Sequence, residues 1–326
     1  MTVREPTIAD VRAARERLAP HITPTPLVEH PALNAVAKGR VLLKCETMMR
    51  VGAFKFRGAY NAAAQVDKAR FPGGVVACSS GNHAQGVAAA ATLLGLTSAI
   101  VMPADAPALK IARTKAFGGE VITYDRVKED RDEIAKRLCA ERKAALIHPF
   151  DDVNVMCGQG TAGLEIMEQA KARGLVPDAV LAPCSGGGLV SGISIAVKDA
   201  SPRTEVMSVE PAGFDDLARS LASGRPERNQ RLSGSICDAL LAPAPGAIPF
   251  AVARRNLARG LVVTDDEARA AIRFAFHDLK LVLEPGGAVA LAAVLTGKLP
   301  TEGRTIVAVL SGGNIDPAML SEIIRQ

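Results

Sequence analysis

The sequence predicts an α/β protein whose two domains each contain a twisted, mostly parallel β-sheet covered by helices. Two observations predict this class. From Gly73 onward, short apolar segments rich in β-branched residues alternate with longer helical segments, which is typical of parallel sheets. Three of the strand-to-helix turns are also unusually rich in glycine and small hydroxyl residues. The chain has 326 residues, enough for about two domains with a core in each.

Local patterns predict the elements of the first half of the chain. An amphipathic segment after Thr7, a possible N-cap, predicts the first helix. Pro24 and Pro26 then favour extended backbone, because proline restricts the residue before it. The predicted helices are 8–18, 58–66, 82–94, 108–117 and 127–142, and the predicted strands are 41–44, 75–78, 98–102, 121–124 and 145–147.

The alternation of strands and helices resumes after His148-Pro149-Phe150. The predicted helices are 158–173, 189–198, 266–279, 287–296 and a last one from Pro317, and the predicted strands are 179–182, 205–209 and 305–310. The segment 221–249 is less regular and is rich in proline, glycine and serine. Such a composition favours loops that form a site.

Composition and charge argue against several classes of function. A net charge of +5, with two tyrosines and no tryptophan, gives neither a basic patch nor stacking surfaces for nucleic acid. The longest uncharged run, 82–104, is divided by Gly95-Leu96-Thr97 into a helical half and a strand-like half, so we expect no membrane span. The N-terminus has no apolar segment typical of a signal peptide. Six scattered cysteines without a CxxC motif are typical of reduced thiols, so we expect a cytoplasmic protein.

One lysine is a candidate nucleophile. Lys55 lies between Phe54 and Phe56 in the segment Val51-Gly-Ala-Phe-Lys-Phe-Arg-Gly-Ala-Tyr60. Apolar surroundings disfavour the charged amine, which lowers the pKa of a lysine and makes it nucleophilic near neutral pH. The alternative is an ordinary lysine whose stem is buried and whose amine reaches water. The motifs that follow along the chain favour the first interpretation.

Three glycine-rich turns each follow a predicted strand: 79–83, 184–189 and 311–314. Ligands of parallel sheets bind beyond the carboxyl ends of the strands, where these turns lie. The turn 184–189 can present several backbone N–H groups at a helix start, which favours phosphate binding. A nicotinamide dinucleotide is disfavoured because Ser191 occupies the place of the third glycine in the dinucleotide-binding motif. No P-loop motif is present.

Several polar residues have both a functional and an ordinary interpretation. Glu210, Asp215 and Asp216 follow a strand and suit a hard cation, or they are solvated acids. His83 fits a helix-start histidine bonded to backbone better than a catalytic base. Glu284 starts a helix, where the helix dipole favours an acid without any catalytic role.

Six motifs in this order resemble the fold type II pyridoxal-phosphate enzymes: GAFKFRGA, SSGNH, SGGGL, VEPAGFDD, LEPGGA and LSGGN. The chain resembles most closely the threonine and serine dehydratases and the related serine racemases. The resemblance implies the tryptophan synthase β-like fold. It implies a large cofactor-binding domain formed by residues 1–66 and 148–326, and a small domain, 67–147, that closes over the active site. A homodimer is usual among the relatives.

The resemblance also implies a role for each matching residue. Lys55 would be the Schiff-base lysine and the base that removes the Cα proton of the substrate. The other cofactor contacts would be Phe54 beside the ring, Asn82 at the 3-hydroxyl, Ser185, Gly186, Gly187, Gly188 and Leu189 at the phosphate, and Ser311 at the ring nitrogen. The substrate carboxylate would bind Ser79, Ser80, Asn82 and His83. A divalent cation (Mg, Mn or Ca) would bind Glu210, Asp216 and the carbonyl of Phe214.

The activity implied is the conversion of L-threonine or L-serine to 2-oxobutyrate or pyruvate and ammonia, by a dehydratase without a regulatory domain. Two departures leave the reaction open. Many dehydratases have alanine where this chain has Ser80, whereas racemases have a serine that acts as acid or base on the second face. Cys237 and Ala239 replace the usual residues of a wall that faces the substrate. A serine racemase or a dehydratase for 3-hydroxyaspartate is therefore the alternative. A non-catalytic binding protein and a nicotinamide dehydrogenase are the rivals from other classes.

Overall fold

Two β-sheets organise the computed structural model, which describes residues 4–125 and 127–325. The strands are β1 Leu27–Glu29, β2 Arg40–Cys45, β3 Val75–Cys78, β4 Ser98–Pro103, β5 Glu120–Tyr124, β6 Ala145–Leu146, β7 Ala179–Pro183, β8 Glu205–Pro211, β9 Arg259–Val263 and β10 Thr305–Leu310. One sheet has the order β1-β2-β10-β7-β8-β9 and the other the order β5-β4-β3-β6. All neighbouring strands are parallel except β1 and β2. The predicted α/β class with mostly parallel sheets is confirmed.

Helices cover both sheets. They are α1 Ile8–Leu18, α2 Pro31–Ala37, α3 Lys55–Ala63, α4 Asn82–Leu93, α5 Ala108–Ala116, α6 Arg131–Arg142, α7 Val153–Lys171, α8 Gly188–Ala200, α9 Asp216–Ser223, α10 Ala247–Asn256, α11 Asp265–His277, α12 Pro285–Leu295 and α13 Pro317–Arg325. In the larger sheet, one apolar core includes α11 and α12 and another includes α7 and α8. A third core joins α3 and α4 to the smaller sheet. The helix that begins at Lys55 therefore packs against the smaller sheet.

Side-chain caps explain where two helices differ from prediction. α6 begins at Arg131 rather than at 127, because Asp130 accepts hydrogen bonds from the N–H groups of Asp132 and Glu133. α7 begins at Val153 rather than at 158, because Asp152 caps its first turn. The predicted N-cap of α1, Thr7, is confirmed by its bond from the N–H of Asp10.

Glycines in α7 allow close helix packing rather than ending the helix. A Cβ atom added to Gly158 would lie 2.5 Å from the carbonyl oxygen of Arg57 in α3, and one added to Gly160 would lie 2.8 Å from that of Gly192 in α8. These contacts leave no room for a side chain. The close approach brings α3, which carries Lys55, against α7.

The sequence prediction missed β1, α2, α9, α10 and β9, which are short or follow irregular segments. The four strands of the smaller sheet all lie between residues 67 and 147. The division into a large domain of 1–66 and 148–326 and a closing small domain of 67–147 stays a prediction. None of the helices in the described part of the chain combines the length and the apolar character that a membrane span requires.

Candidate active site

The three glycine-rich turns lie around Lys55. The N–H of Phe54 donates to the carbonyl of Ser311 over 3.0 Å, which joins the start of α3 to the turn after β10. The side chain of Asn314, in that same turn, donates to Asn82 over 2.8 Å. The turn after β7 contacts Phe150, and Lys55 donates to the carbonyl of Pro149, the residue before Phe150. The carboxyl ends of β3, β7 and β10 thus meet at one place, as expected for a ligand site between parallel sheets.

Lys55 is the first residue of α3, and its side chain is half-buried. Its Nζ donates to the carbonyl of Pro149 over 2.8 Å and lies 5.1 Å from the centre of the Phe54 ring. Burial lowers the pKa of Lys55 to about 8, which is the direction predicted from its apolar neighbours. A lysine with such a pKa is partly neutral near pH 8, so its amine can act as a nucleophile or a base.

The turn after β7 has the geometry of an anion cradle. Gly187 has a φ of +89°, which favours glycine, and α8 begins at the next residue. A Cβ atom added to Gly186 would lie 2.3 Å from the ring of Phe150. The hydroxyl of Ser185 accepts a bond from the N–H of Ala242 over 3.1 Å, which ties the turn to the loop before α10. The first N–H groups of a helix have no acceptor within it, so they can hold a phosphate.

The turn after β3 leads into α4 and includes His83. The Nε2 of His83 lies 3.0 Å from the carbonyl of Ile147 and must donate to it, because a carbonyl only accepts. Its Nδ1 is buried and has no hydrogen-bond partner. Burial lowers the pKa of His83 to about 3, so the ring is neutral. His83 can therefore hold a carboxylate through its backbone N–H but offers no ring charge for it.

Asn82 bonds to two side chains that lie far from it in sequence. Its Nδ2 donates to Oε1 of Glu284 over 2.6 Å, and its Oδ1 accepts from Nδ2 of Asn314 over 2.8 Å. Glu284 is 6% exposed and makes no capping bond to α12, although it precedes that helix. Burial raises the pKa of Glu284 to about 7, while the bond from Asn82 opposes that rise. The interpretation of Glu284 as an acid placed only by the helix dipole was therefore incomplete.

Comparison with known families identifies the class of protein that contains these residues. Residues 18–312 match the model of the family described as pyridoxal-phosphate dependent enzyme. The chain belongs to this family. Membership implies pyridoxal phosphate as the cofactor, and the glycine cradle and the nearby amine with its lowered pKa fit such a group. It favours an enzyme over the binding protein and the nicotinamide dehydrogenase considered above.

Three known proteins are similar to this pyridoxal-phosphate dependent enzyme over nearly its whole chain. The L-threonine ammonia-lyase of Thermotoga maritima is 38% identical over 98% of this chain and 78% of that protein. The L-threo-3-hydroxyaspartate ammonia-lyase of Saccharomyces cerevisiae is 37% identical over 98% of this chain and 96% of that protein. The solved structure of maize serine racemase has a TM-score of 0.92 and 35% identity, and it covers 99% of this chain and 98% of its own.

The acids predicted to bind a cation in this pyridoxal-phosphate dependent enzyme form a buried pair. Glu210 accepts from the N–H groups of Leu217 and Ala218 at the start of α9. Asp216 accepts from Asn229 at one oxygen, and its Oδ2 is buried without a partner. Burial and the charge of Asp216 raise the pKa of Glu210 well above its usual value, and burial raises that of Asp216 to about 6. Asp215 instead pairs with Arg219, at 3.6 Å.

This acid pair is the chemistry that a divalent cation compensates. Two carboxylates and a carbonyl are hard oxygen ligands, and an unpaired buried carboxylate oxygen is costly. Within the described residues, no group of three or more His, Cys, Asp and Glu side chains could hold a metal ion. A divalent cation at Glu210 and Asp216 therefore stays a prediction.

A buried network of charges, which sequence reasoning missed, supports the start of α3. Arg57 is fully buried and bonds to Glu46 of the turn after β2 and to Glu165 of α7, with distances of 2.6 to 2.8 Å. Lys44, also fully buried, donates to Glu165 over 2.6 Å. Two positive and two negative groups thus compensate one another two residues from Lys55. The only signal in the sequence was an arginine on the apolar side of the GAFKFRGA motif.

Proposed function

We propose that this enzyme is an ammonia-lyase that acts on L-threonine and L-serine and forms 2-oxobutyrate or pyruvate together with ammonia. The observation that carries the proposal is Lys55, a half-buried amine with a lowered pKa beside a glycine cradle for phosphate. The L-threonine ammonia-lyase relative supports this choice of substrate class. The substrate is a small amino acid, and no nucleic acid or membrane takes part.

The cofactor contacts follow from the positions of the predicted residues. Lys55 would bond to pyridoxal phosphate covalently, with Phe54 beside the ring. The backbone of residues 185–189 would hold the phosphate, Asn82 the 3-oxygen and Ser311 the ring nitrogen. When bound, this cofactor withdraws electrons from the Cα atom of the amino acid, which makes removal of its proton easier.

The residues of the chain supply binding and proton transfer. The hydroxyl of Ser79, with the N–H groups of Ser80, Asn82 and His83, holds the carboxylate of the substrate at the start of α4. Because His83 is neutral, the backbone and the helix start provide the positive potential for this carboxylate. Lys55, once its amine is free, removes the Cα proton and keeps it at Nζ, where the carbonyl of Pro149 can accept one of its hydrogens.

Ser80 is the residue on which the alternative function, racemisation, depends. Its hydroxyl, in a half-exposed position of the same turn, is the candidate acid or base for the face of the substrate opposite Lys55. A serine racemase or a lyase for 3-hydroxyaspartate is supported by the maize and yeast relatives. An assay that follows oxo acid and the opposite enantiomer in parallel separates these activities.

We further propose a divalent cation bound by Glu210, Asp216 and the carbonyl of Phe214. The buried and unpartnered Oδ2 of Asp216 supports this site. A cation there would lower the pKa of both acids and hold the start of α9 against the end of β8. The identity of the cation, Mg, Mn or Ca, can be tested by the thermal shift that each produces.

The proposed assembly is a homodimer in the cytoplasm. Met48 and Val282 are exposed apolar residues, at 59% and 42%. They are close in the fold, because a Cβ atom added to Gly313 would lie 2.8 Å from the carbonyl of Val282 and 3.4 Å from the side chain of Thr47. All six cysteines are free thiols, which supports a reducing compartment. Sedimentation of the wild type should give a dimer, and Met48→Glu should shift it toward monomer; a monomeric wild type would exclude this assembly.

The experiment that tests the proposed function is a turnover assay on a panel of hydroxy amino acids. The wild type should release 2-oxo acid from L-threonine or L-serine, and Lys55→Ala should release none. Ser80→Ala should keep the lyase activity and abolish any racemisation. Absence of oxo acid from every member of the panel would refute the proposal, and turnover of 3-hydroxyaspartate or serine enantiomers alone would favour the alternative.

A further inference from the structure

Four polar side chains form a continuous chain of hydrogen bonds from the smaller sheet to the start of α12. Arg113 of α5 donates from Nη1 to Oδ1 of Asn314 over 3.1 Å. Asn314 donates from Nδ2 to the carbonyl of Val51 over 2.7 Å and to Oδ1 of Asn82 over 2.8 Å. Asn82 donates to Glu284 over 2.6 Å. This series of hydrogen bonds therefore ends at Glu284, the acid that precedes α12.

The donor and acceptor roles along this series of hydrogen bonds are fixed at one end, because two groups there can take only one role. A guanidinium only donates and a backbone carbonyl only accepts. With Arg113 at its oxygen and Val51 at its nitrogen, the amide of Asn314 has one orientation. Its second N–H must then meet the oxygen of Asn82. The nitrogen of Asn82 therefore points toward Glu284, which accepts the bond.

We propose that Glu284 and Asn314 are positioning residues that fix the side-chain amide of Asn82 so that its remaining N–H is offered to the 3-oxygen of the cofactor. The inference rests on the proposed contact between Asn82 and that oxygen. The alternative orientation of Asn82 would present its carbonyl oxygen, which repels a negatively charged 3-oxygen. Glu284 and Asn314 thus favour the charged form of the 3-oxygen of the cofactor, although neither residue contacts it.

The tight surroundings of Glu284 support a fixed role. A Cβ atom added to Gly312 would lie 2.1 Å from Oε1 of Glu284, and the backbone N–H of Glu284 donates to the carbonyl of Gly312 over 3.1 Å. The charged groups that face its carboxyl are Lys110 of α5 and Asp238 of the turn 238–240, which pair with each other. The carboxyl thus has little freedom to leave Asn82, and no ion pair with another described residue neutralises its charge.

Ionisation of Glu284 should be visible in the bound cofactor. Burial raises its pKa to about 7, so the carboxylate gains a proton as the pH falls through that value. A protonated acid is a weaker acceptor, and the amide of Asn82 is then held less firmly. We expect the cofactor absorbance to titrate near this pH in the wild type and to lose that titration in Glu284→Gln, which keeps an acceptor of the same shape without the charge.

The test is a double-mutant cycle on binding of pyridoxal phosphate to cofactor-depleted protein. Glu284→Ala should weaken binding by about tenfold, the size expected for a hydrogen bond to a charged group. In the Asn82→Ala background, Glu284→Ala should have almost no further effect, because its partner is already absent. The cycle with Asn314→Ala should behave in the same way, and it keeps the test valid if a Glu284 variant folds poorly.

Two other results have distinct meanings. Equal losses from Glu284→Ala or Asn314→Ala in both backgrounds would overturn the inference, since these residues would then act independently of Asn82. A wild type that binds pyridoxal phosphate normally but shows additive losses contradicts only this inference. A wild type that fails to bind the cofactor through Lys55 contradicts the proposed function itself.

Discussion

Replacing Arg57 by alanine tests whether the buried charge network holds the catalytic end of α3. The guanidinium bonds to both oxygens of Glu46 and to both oxygens of Glu165. After truncation Glu165 keeps its bond from Lys44, whereas Glu46 keeps only the hydroxyl of Thr25. The buried carboxylate of Glu46 thus loses its larger compensating charge and keeps the smaller effect of Lys44.

The magnitude of this loss follows from the burial of both partners. Arg57 and Glu46 are each fully buried, and removal of one partner of such a pair costs about 3–5 kcal/mol. The melting temperature should fall by about 10 °C. Arg142→Ala is the matched control, because Arg142 pairs with Glu120 at the surface, where an ion pair contributes about 0–1 kcal/mol.

The pH dependence of this loss identifies its cause. Burial alone would raise the pKa of Glu46, but the charge and hydrogen bonds of Arg57 outweigh burial and lower it in the wild type. Without Arg57 the pKa of Glu46 should rise above its usual value, so the penalty is present at high pH and disappears as the pH falls and the acid is protonated.

Thermal denaturation at about pH 7 and about pH 5 measures this effect directly. The difference between Arg57→Ala and the wild type should shrink at the lower pH, and Glu46→Gln in the variant background should recover part of the loss. A loss as small as that of Arg142→Ala, or one equal at both pH values, would refute the reasoning.

Three further predictions concern the site. In cofactor-depleted protein, amine reagents should label Lys55 with a rate that rises through about pH 8, because the neutral form reacts; a rise only near the ordinary lysine pKa would contradict its burial. Gly186→Ala should weaken pyridoxal phosphate binding by at least tenfold through the clash with Phe150, and Phe150→Leu should restore part of the affinity; full affinity in Gly186→Ala would exclude a tight cradle. In the presence of a chelator, Asp216→Asn should be more stable than the wild type at neutral pH, because the raised pKa of Asp216 marks a buried acid without a compensating charge. The stability of this variant should not respond to added Mg²⁺. A wild type whose stability is unaffected by every divalent cation would exclude the cation site.

Periodic patterns made the sheets and most helices predictable from sequence. Strands such as β3 and β10 are short apolar runs between helices, and their burial on both faces produces that pattern. The three-residue strand β1 has too few residues for any period, and β9 follows α10, a helix that the sequence pattern also did not reveal. Both are edge strands of the larger sheet, where neighbouring strands, not local sequence, determine pairing.

The motifs placed the lysine, the glycine turns and the acids, but not their long-range partners. Arg57 and Glu284 resemble surface charges in sequence, because the local pattern does not show which residues they bond to. Their partners lie 11 to 202 residues away along the chain. Only the fold shows that Arg57 compensates two buried acids and that Glu284 bonds to Asn82.

The absorption spectrum of the purified protein tests the central claim most directly. Wild-type protein with pyridoxal phosphate should show the visible band of a lysine-bound cofactor, and L-threonine should change that band. Lys55→Ala should lack the band, while Lys68→Ala, which removes a surface lysine that donates to the carbonyl of Leu94, should keep it. A band that survives in Lys55→Ala would contradict the account, because the amine beside the glycine cradle would then not be the group that holds the cofactor.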